Sequence, residues 1–129
     1  MINTNNREYG NWLGTMDWDT FSTVTYKHNI SPRRNETIMN ELVKSMDSKL
    51  DNYAMFWAME KAYLGNTHNH LLVKNQMAVN YIDEYLLSKN LIDKRFVKHL
   101  PYDRNLGASH YVSKYLNRAN AQYDLIVRK

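Results

Sequence analysis

A run of eight residues at positions 53–60, YAMFWAME, constrains the fold more strongly than any other stretch of the chain. Every side chain before the final glutamate is apolar or aromatic, so a strand built from this run has two apolar faces. Such a strand belongs at the centre of a sheet rather than at its edge. Gly65 and the polar residues around it then predict a turn over 62–67, which returns the chain antiparallel into a second strand that runs to Val73.

The rest of the chain supplies further strands and helices around this hairpin. Residues 19–26 alternate in polarity and are rich in β-branched and aromatic side chains, as is typical of a strand. Ser31 and Pro32 predict a capped helix start, and an apolar stripe follows at helical spacing. The stripe consists of Ile38, Leu42, Val43, Met46 and Leu50. The later predicted elements are a helix that follows Asn75 and ends near Asn90, an edge strand over 95–102 interrupted at Pro101, a helix over 108–120 and a last strand over 123–127.

This order of elements predicts an α+β fold with a ferredoxin-like, or RRM-like, core. About five strands would form a mainly antiparallel sheet, with the helices packed on one face and the other face available to a ligand. The chain has 129 residues, enough for one domain with a substantial core but not for two. We therefore predict a single domain over residues 1–129, in which the polar, asparagine-rich residues 1–16 form an N-terminal arm.

Composition limits where the protein works and what it binds. The net charge of +4 favours an acidic partner, and the ten tyrosines and three tryptophans provide rings that can stack on bases. The chain has no cysteine, which excludes a disulfide framework and favours a reducing compartment. The sequence shows no apolar run that could span a bilayer and no signal peptide, so we expect a cytoplasmic protein with no membrane partner.

Two histidines separated by one residue, His68 and His70, open the second strand of the hairpin. Side chains alternate along a strand, so both imidazoles lie on one face and Asn69 lies on the other. Two adjacent imidazoles supply half of a metal site, and a carboxylate would complete a site suited to Mn²⁺ or Mg²⁺. Glu60 ends the partner strand, so the hairpin places its carboxylate across from one histidine if the register allows. The alternative third ligands, just before the first strand, are Asp17 and Asp19.

A second group of functional side chains lies in the predicted helix near the C-terminus. Its members are three or four residues apart, so their ends can meet one ligand from one face of the helix. They are Tyr111, Lys114, Tyr115 and Arg118. We interpret two of the remaining histidines, His28 and His99, as surface or strand residues.

Three segments together resemble the motifs of the HUH endonuclease superfamily, in particular the rolling-circle replication initiators of small phages, viruses and plasmids. Residues 21–25 (FSTVT), 67–73 (THNHLLV) and 111–118 (YVSKYLNR) resemble the first motif, the metal-binding motif and the nucleophile motif, in the family's order. The span from the first to the last covers about three quarters of the chain. One departure is Asn69, because the family usually has a bulky hydrophobic residue between the two histidines.

The resemblance implies a single HUH-type nuclease domain that nicks and joins single-stranded DNA at a replication origin, through a 5′-phosphotyrosine intermediate. Tyr111 is the implied nucleophile because it fits the family's Tyr-x-x-Lys pattern with Lys114, which would hold the phosphate or the phenolate as a cation. Tyr115 either acts as a second nucleophile, as in initiators that use two tyrosines, or packs on the sheet or on a base. The DNA backbone would be bound by Lys27, Arg33, Arg34 and Arg118, with Lys94, Arg95 and Lys98 as further candidates.

Two alternative functions remain open. Single-tyrosine HUH transposases share the fold and the sequence His-x-His-Leu-Leu-Val and work as dimers, although Tyr-x-x-Lys-Tyr matches the initiators better. A non-enzymatic RRM-like nucleic-acid-binding module would use exposed aromatic side chains, but no strand matches the RNP signature. Further expected partners are a second copy of the chain, as a homodimer, and a host or viral helicase and polymerase that would supply unwinding and synthesis.

Overall fold

The computed structural model describes residues 10–60, 66–103, 105 and 122–129. Its main elements are β1 (Thr20–Tyr26), α1 (Pro32–Lys49), β2 (Tyr53–Glu60), β3 (His68–Lys74), α2 (Gln76–Ser88), β4 (Ile92–Pro101) and β5 (Tyr123–Arg128). Residues 10–14 are also helical. Residues 1–9 of the predicted arm and the predicted helix over 108–120 lie outside the described residues.

The five strands form one sheet in the order β4-β1-β3-β2-β5, and every neighbouring pair is antiparallel. The first four strands, with α1 joining β1 to β2 and α2 joining β3 to β4, have the ferredoxin-like arrangement, and β5 is added beside β2. This confirms the predicted α+β fold and its antiparallel sheet. β2 is an interior strand, as its apolar run predicted, and β4 is an edge strand, where Pro101 can serve as the last residue.

Short polar side chains determine where the two long helices begin. Ser31 caps α1, because its Oγ accepts a hydrogen bond from the Arg34 amide at 3.1 Å, and Pro32 occupies the first helical position as predicted. Asn75 caps α2 by accepting a hydrogen bond from the Met77 amide at 2.9 Å, and its φ of 95° turns the chain out of β3. In the part of the chain that the structure describes, no helix is long and apolar enough to cross a membrane.

Both helices pack on the same face of the sheet and form the larger hydrophobic core with it. Ile38, Leu42 and Met46 of the predicted stripe are buried there, whereas Val43 and Leu50 are partly buried at the margin. The strands contribute, among others, Val24, Tyr26, Met55, Trp57, Leu71 and Val73, and α2 contributes Val79, Ile82 and Leu86. The odd-numbered residues of β2 and β3 therefore face the helices, and the even-numbered residues face the other way.

The opposite face of the sheet is covered at one end by the segment that precedes β1. Leu13 and Trp18 are buried there against Phe56 and Leu72, and Trp18 Nε1 donates a hydrogen bond to the Leu13 carbonyl at 2.8 Å. Residues 10–16 of the predicted arm thus contribute to a second, smaller core. Polar side chains occupy the other end of this face, where β2 ends and β3 begins.

Candidate metal centre

The register of the β2–β3 hairpin brings the three predicted metal ligands together. Glu60 lies directly opposite His68, and Ala58 lies opposite His70. Because side chains alternate along each strand, the two imidazoles and the carboxylate all project from the face opposite α1 and α2. We call this the metal face of the sheet. Glu60 could be the third ligand only if the strand register placed it across from one of the two histidines, and the structure has that register.

The ligand atoms of these side chains are close enough to share one cation. Glu60 Oε2 is 2.8 Å from His68 Nε2 and 2.7 Å from His70 Nε2. The two imidazole rings are nearly perpendicular, with centroids 4.9 Å apart, and one ligand atom of each residue lies within 4.8 Å of the others. Two ligand atoms that bind one cation at right angles, each at about 2.1 Å from it, are roughly 3 Å apart from each other. The observed separations of 2.8 and 2.7 Å are close to that value, so small movements of the side chains would make room for a cation.

One side of this cluster is buried and the other is accessible to solvent. The His70 side chain is 5% exposed, whereas those of His68 and Glu60 are 21% and 23% exposed. Three protein ligands with an accessible side leave coordination positions for water or substrate, which is typical of catalytic rather than structural metal sites. Such a group could hold a metal ion that polarises an oxygen atom of a bound molecule.

β1 supports the cluster from the other side of β3. Thr23 pairs with His70, and its Oγ1 lies 3.3 Å from His70 Nδ1. A hydrogen bond to one ring nitrogen orients an imidazole and directs the other nitrogen towards the metal. The ring of Phe21 lies 6.0 Å from the His70 ring on the same face. The sequence around Thr23 gives no sign of this contact, because the partner of Thr23 follows only from the β1–β3 register.

Asn69 faces away from the cluster, as strand alternation predicted. It is 2% exposed and lies on the helix side of the sheet, where its Nδ2 donates a hydrogen bond to Asn35 Oδ1 at 2.8 Å. The polar side chain between the two histidines is therefore hydrogen-bonded in the protein interior and does not contact the predicted metal ligands.

The alternative carboxylates lie elsewhere. Asp19 precedes β1 and lies at the opposite end of β3 from His68. Its Oδ2 accepts a hydrogen bond from the Asn75 amide at 2.6 Å. Among the described residues, the group that could hold a metal contains neither Asp19 nor Asp17.

The residues predicted to cut and bind DNA are described only in part. Lys27 follows β1, and its Nζ donates a hydrogen bond to Asn90 Oδ1 after the end of α2. Arg33 and Arg34 are exposed in the first turn of α1, which packs on the face opposite the metal cluster, so the structure does not bring these two arginines onto the metal face. The residues that lie outside the described part of the chain are Tyr111, Lys114, Tyr115 and Arg118.

A row of five residues crosses the metal face through His70. Cross-strand pairing aligns Lys98, Thr23, His70, Ala58 and Tyr123, one from each strand. Neighbouring strands are about 4.8 Å apart, so the backbones of Lys98 and Tyr123 each lie roughly 10 Å from that of His70. Lys98 is exposed, and Tyr123 is 44% exposed. The face therefore carries a cation on one side of His70 and an aromatic ring on the other.

His99 is a strand residue, as predicted, but it also belongs to a polar cluster on the helix side of the sheet. Its Nδ1 lies 2.6 Å from Ser22 Oγ, and its Nε2 lies 2.6 Å from Asp83 Oδ2. The same three residue types form hydrolytic triads, but Ser22 is fully buried and its hydroxyl cannot reach a substrate. The contacts instead tie the edge strand β4 to β1 and α2. His28 is exposed, as predicted for a surface histidine.

No family model, no curated protein and no solved structure matches the chain. A function is therefore proposed from the fold, the side-chain cluster on the metal face and the sequence motifs together.

Proposed function

We propose that the protein is a metal-dependent endonuclease that nicks and rejoins single-stranded DNA at a replication origin through a covalent phosphotyrosine intermediate. The observation that carries this proposal is the convergence of His68, His70 and Glu60 on one accessible face of the sheet. Three ligands with an accessible side suit a cation that must also contact a substrate. The resemblance of the sequence motifs to rolling-circle initiators supplies the nature of the substrate and of the nucleophile.

The predicted metal ligands would hold a cation that acts on the scissile phosphate. His68, His70 and Glu60 would hold the cation at the surface of the sheet. When bound, a divalent cation withdraws charge from a phosphate oxygen and offsets the charge that develops in the transition state. Thr23 would keep His70 oriented towards the metal through its contact with Nδ1.

The tyrosine and the lysine of the predicted C-terminal helix supply the transfer step. A tyrosine hydroxyl has an ordinary pKa of about 10 and is a weak nucleophile until its proton is removed. The Tyr111 oxygen forms a bond to phosphorus while the bond between phosphorus and the 3′ oxygen breaks. That oxygen takes up one proton, which balances the proton that the Tyr111 hydroxyl has lost, so the products are a 5′-phosphotyrosine and a free 3′-hydroxyl. Lys114 holds the phosphate, and rejoining is the same exchange in reverse.

Of the two predicted cations, Mn²⁺ fits the ligand set better than Mg²⁺. Two of the three ligand atoms are imidazole nitrogens, His68 Nε2 and His70 Nε2. Mg²⁺ is bound almost always through oxygen and gives up its water reluctantly, whereas transition metals accept imidazole readily. We therefore propose Mn²⁺ as the cation that supports activity best.

The row of residues through His70 supports an extended substrate that crosses the strands. Lys98 would bind a backbone phosphate on one side of the predicted metal ligands, and Tyr123 would stack on a base on the other side. A single strand lying along this row would present one phosphate to the metal ligands.

A non-enzymatic nucleic-acid-binding module is the second candidate. Tyr123 is 44% exposed on the metal face, and aromatic side chains exposed on a sheet bind single strands by stacking on bases. This function needs neither the metal ligands nor a nucleophile. Its signature is tight binding of single-stranded DNA that is unchanged by a chelator.

A cleavage assay separates the two candidates. Labelled single-stranded DNA, as a pool that includes hairpins, is incubated with Mn²⁺ and with wild type, the double variant His68→Ala/His70→Ala, or the control His28→Ala, which removes an exposed histidine elsewhere. We expect cleavage by wild type and by the control, and no cleavage by the double variant or after chelation. Tight binding without cleavage by any of these proteins would refute the nuclease and favour the binding module.

A further inference from the structure

A cavity of about 420 Å³ lies at the opposite end of the metal face from His68 and Glu60. Cross-strand pairing aligns three of its lining residues in one row, Lys74 of β3, Ala54 of β2 and Val127 of β5. Residues that pair directly across neighbouring strands project from the same face of a sheet. Ala54 has only a methyl group, so the longer side chains on either side of it rise above the floor and leave a hollow between them. We call this hollow the terminal cavity.

Hydrogen bonds between the ends of the strands form the wall of the terminal cavity. Asn75, directly after β3, is at their centre, because its amide donates to Asp19 Oδ2 at 2.6 Å and its Nδ2 donates to the Asn52 carbonyl at 2.5 Å. These bonds join the residues that precede β1 and β2 to the end of β3. Met16, which packs against the second core, adds an apolar side chain to the lining. The cavity therefore has a wall held by hydrogen bonds and an apolar floor.

The second core separates the terminal cavity from the metal ligands. Ala54 in the cavity and Ala58 in the row through the metal ligands are four residues apart along β2, a distance of roughly 13 Å at about 3.3 Å per residue. Phe56 lies between them on the same face, and Leu13 and Trp18 are buried against it. A DNA strand that follows the row through the metal ligands would therefore not lie in the terminal cavity. The cavity is a second site.

The charges around the terminal cavity favour an anion. Its lining contains three cations, Lys74, Arg128 and Lys129, and one carboxylate, that of Asp19. Asp47 already neutralises Arg128, whose Nε and Nη2 donate to it at 3.0 and 3.1 Å. Among the described residues, the side chains of Lys74 and Lys129 have no hydrogen-bond or ion-pair partner. Two ammonium groups are therefore available to one ligand.

The size and the lining of the cavity indicate the class of that anion. Its volume lies in the range of small-molecule sites, about 300 to 1,000 Å³. A phosphate monoester carries a charge of about −1.5 to −2 at pH 7 and can engage both lysines, whereas a carboxylate has a single charge. The apolar floor of Ala54 and Val127 suits the face of a base. The exposed amide of Asn52 at the rim offers a donor and an acceptor to the edge of that base.

We propose that the terminal cavity binds a nucleoside monophosphate, with its phosphate between Lys74 and Lys129 and its base on Ala54 and Val127. The site shares no residue with the metal ligands and does not depend on the proposed nuclease activity. Its binding requires no cation and weakens as salt is added, because the phosphate contacts exposed ammonium groups.

Titration calorimetry of the whole protein with adenosine monophosphate (AMP), in the presence of a chelator, tests the site. We expect saturable binding of one AMP per chain. Lys74→Gln keeps a long polar side chain and removes the charge, so the AMP affinity should fall about 5- to 10-fold. The matched control Lys44→Gln, at an exposed lysine on the helix side, should leave it unchanged. Val127→Asp places a carboxylate at the floor of the cavity, where it repels the phosphate, and should abolish measurable binding.

Two further ligands show which part of AMP is bound. Inorganic phosphate and adenosine should each bind at least about 10-fold more weakly than AMP. Inorganic phosphate that binds as tightly as AMP would overturn the assignment of a nucleotide, and adenosine that does so would overturn the role of the lysines. Absence of AMP binding to wild type, or an equal loss of affinity in Lys44→Gln, would refute the site. The double variant His68→Ala/His70→Ala should bind AMP as wild type does, so failure of this site and failure of the proposed nuclease are distinguishable.

Discussion

Tyr26 provides a quantitative test of the buried network behind the metal face. Its side chain is 1% exposed, and its hydroxyl donates a hydrogen bond to Asn35. Burial raises the pKa of Tyr26 to about 12, although the hydrogen bond with Asn69 and the charge of Arg34 act in the opposite direction. In the unfolded chain the pKa is about 10, so the folded state favours the protonated phenol. The stability that this difference contributes is fully present below about pH 10 and is lost as the pH rises through 12.

The size of the effect follows from the two pKa values. At pH 11 the unfolded chain has released the Tyr26 proton and the folded protein has kept it, which lowers the free energy of unfolding by about 1.4 kcal/mol relative to pH 9. Well above pH 12 the loss reaches roughly 3 kcal/mol. Burial also raises the pKa of Tyr53 above its ordinary range, so wild type alone cannot isolate Tyr26. The comparison must be made with Tyr26→Phe, which keeps the ring and removes the hydroxyl.

The free energy of unfolding of wild type and of Tyr26→Phe is measured at pH 9 and at pH 11 by urea unfolding, which is followed by circular dichroism. Between the two pH values, we expect wild type to lose about 1.4 kcal/mol more stability than Tyr26→Phe. Equal losses in the two proteins would refute the reasoning, because they would mean that Tyr26 ionises near its ordinary pKa in the folded protein.

The remaining predictions concern the metal face. Thr23→Val removes the hydroxyl that contacts His70 Nδ1 at 3.3 Å, so it should weaken Mn²⁺ binding about 10-fold in titration calorimetry. The control Thr37→Val, on α1, should leave the Mn²⁺ affinity unchanged. Mn²⁺ at about 100 times its dissociation constant should stabilise the protein by about 2.7 kcal/mol in thermal unfolding, and equal stabilisation by the same Mg²⁺ concentration would contradict the ligand argument. Lys98→Ala should reduce the slope of log K against log salt for single-stranded DNA by about one, and Lys44→Ala, on the helix side, should leave it unchanged.

The grouping of Glu60, His68 and His70 could be predicted because its geometry depends on local sequence. The apolar run over 53–60 indicated an interior strand, and the short connection to the next strand limited the possible registers. Strand alternation then placed His68 and His70 together and Asn69 on the other face. Once the hairpin is formed, Glu60 has little freedom to lie elsewhere. These contacts join residues at most ten positions apart.

The buried Asn35–Gln122 hydrogen bond and the second core could not be predicted, because they join distant parts of the sequence. Asn35 is bonded to Gln122, 87 positions away, and in a helical pattern an asparagine beside the apolar stripe resembles a solvent-facing residue. Trp18 follows a polar segment, and only the assembled sheet shows that it packs against Phe56. In the same way, the Ser22–His99 contact depends on the β1–β4 register, which no local pattern specifies.

The proposed function requires that a tyrosine forms a covalent bond to DNA at a site that depends on Glu60, His68 and His70. The most direct measurement is a denaturing gel of wild type, Tyr111→Phe and Tyr115→Phe after incubation with labelled single-stranded DNA and Mn²⁺. We predict a protein-linked DNA band that is absent in Tyr111→Phe. If the band is lost only in Tyr115→Phe, the proposed reaction stands and Tyr115, not Tyr111, is the nucleophile. No linked band with any strand, from protein that binds the DNA tightly, would contradict the account.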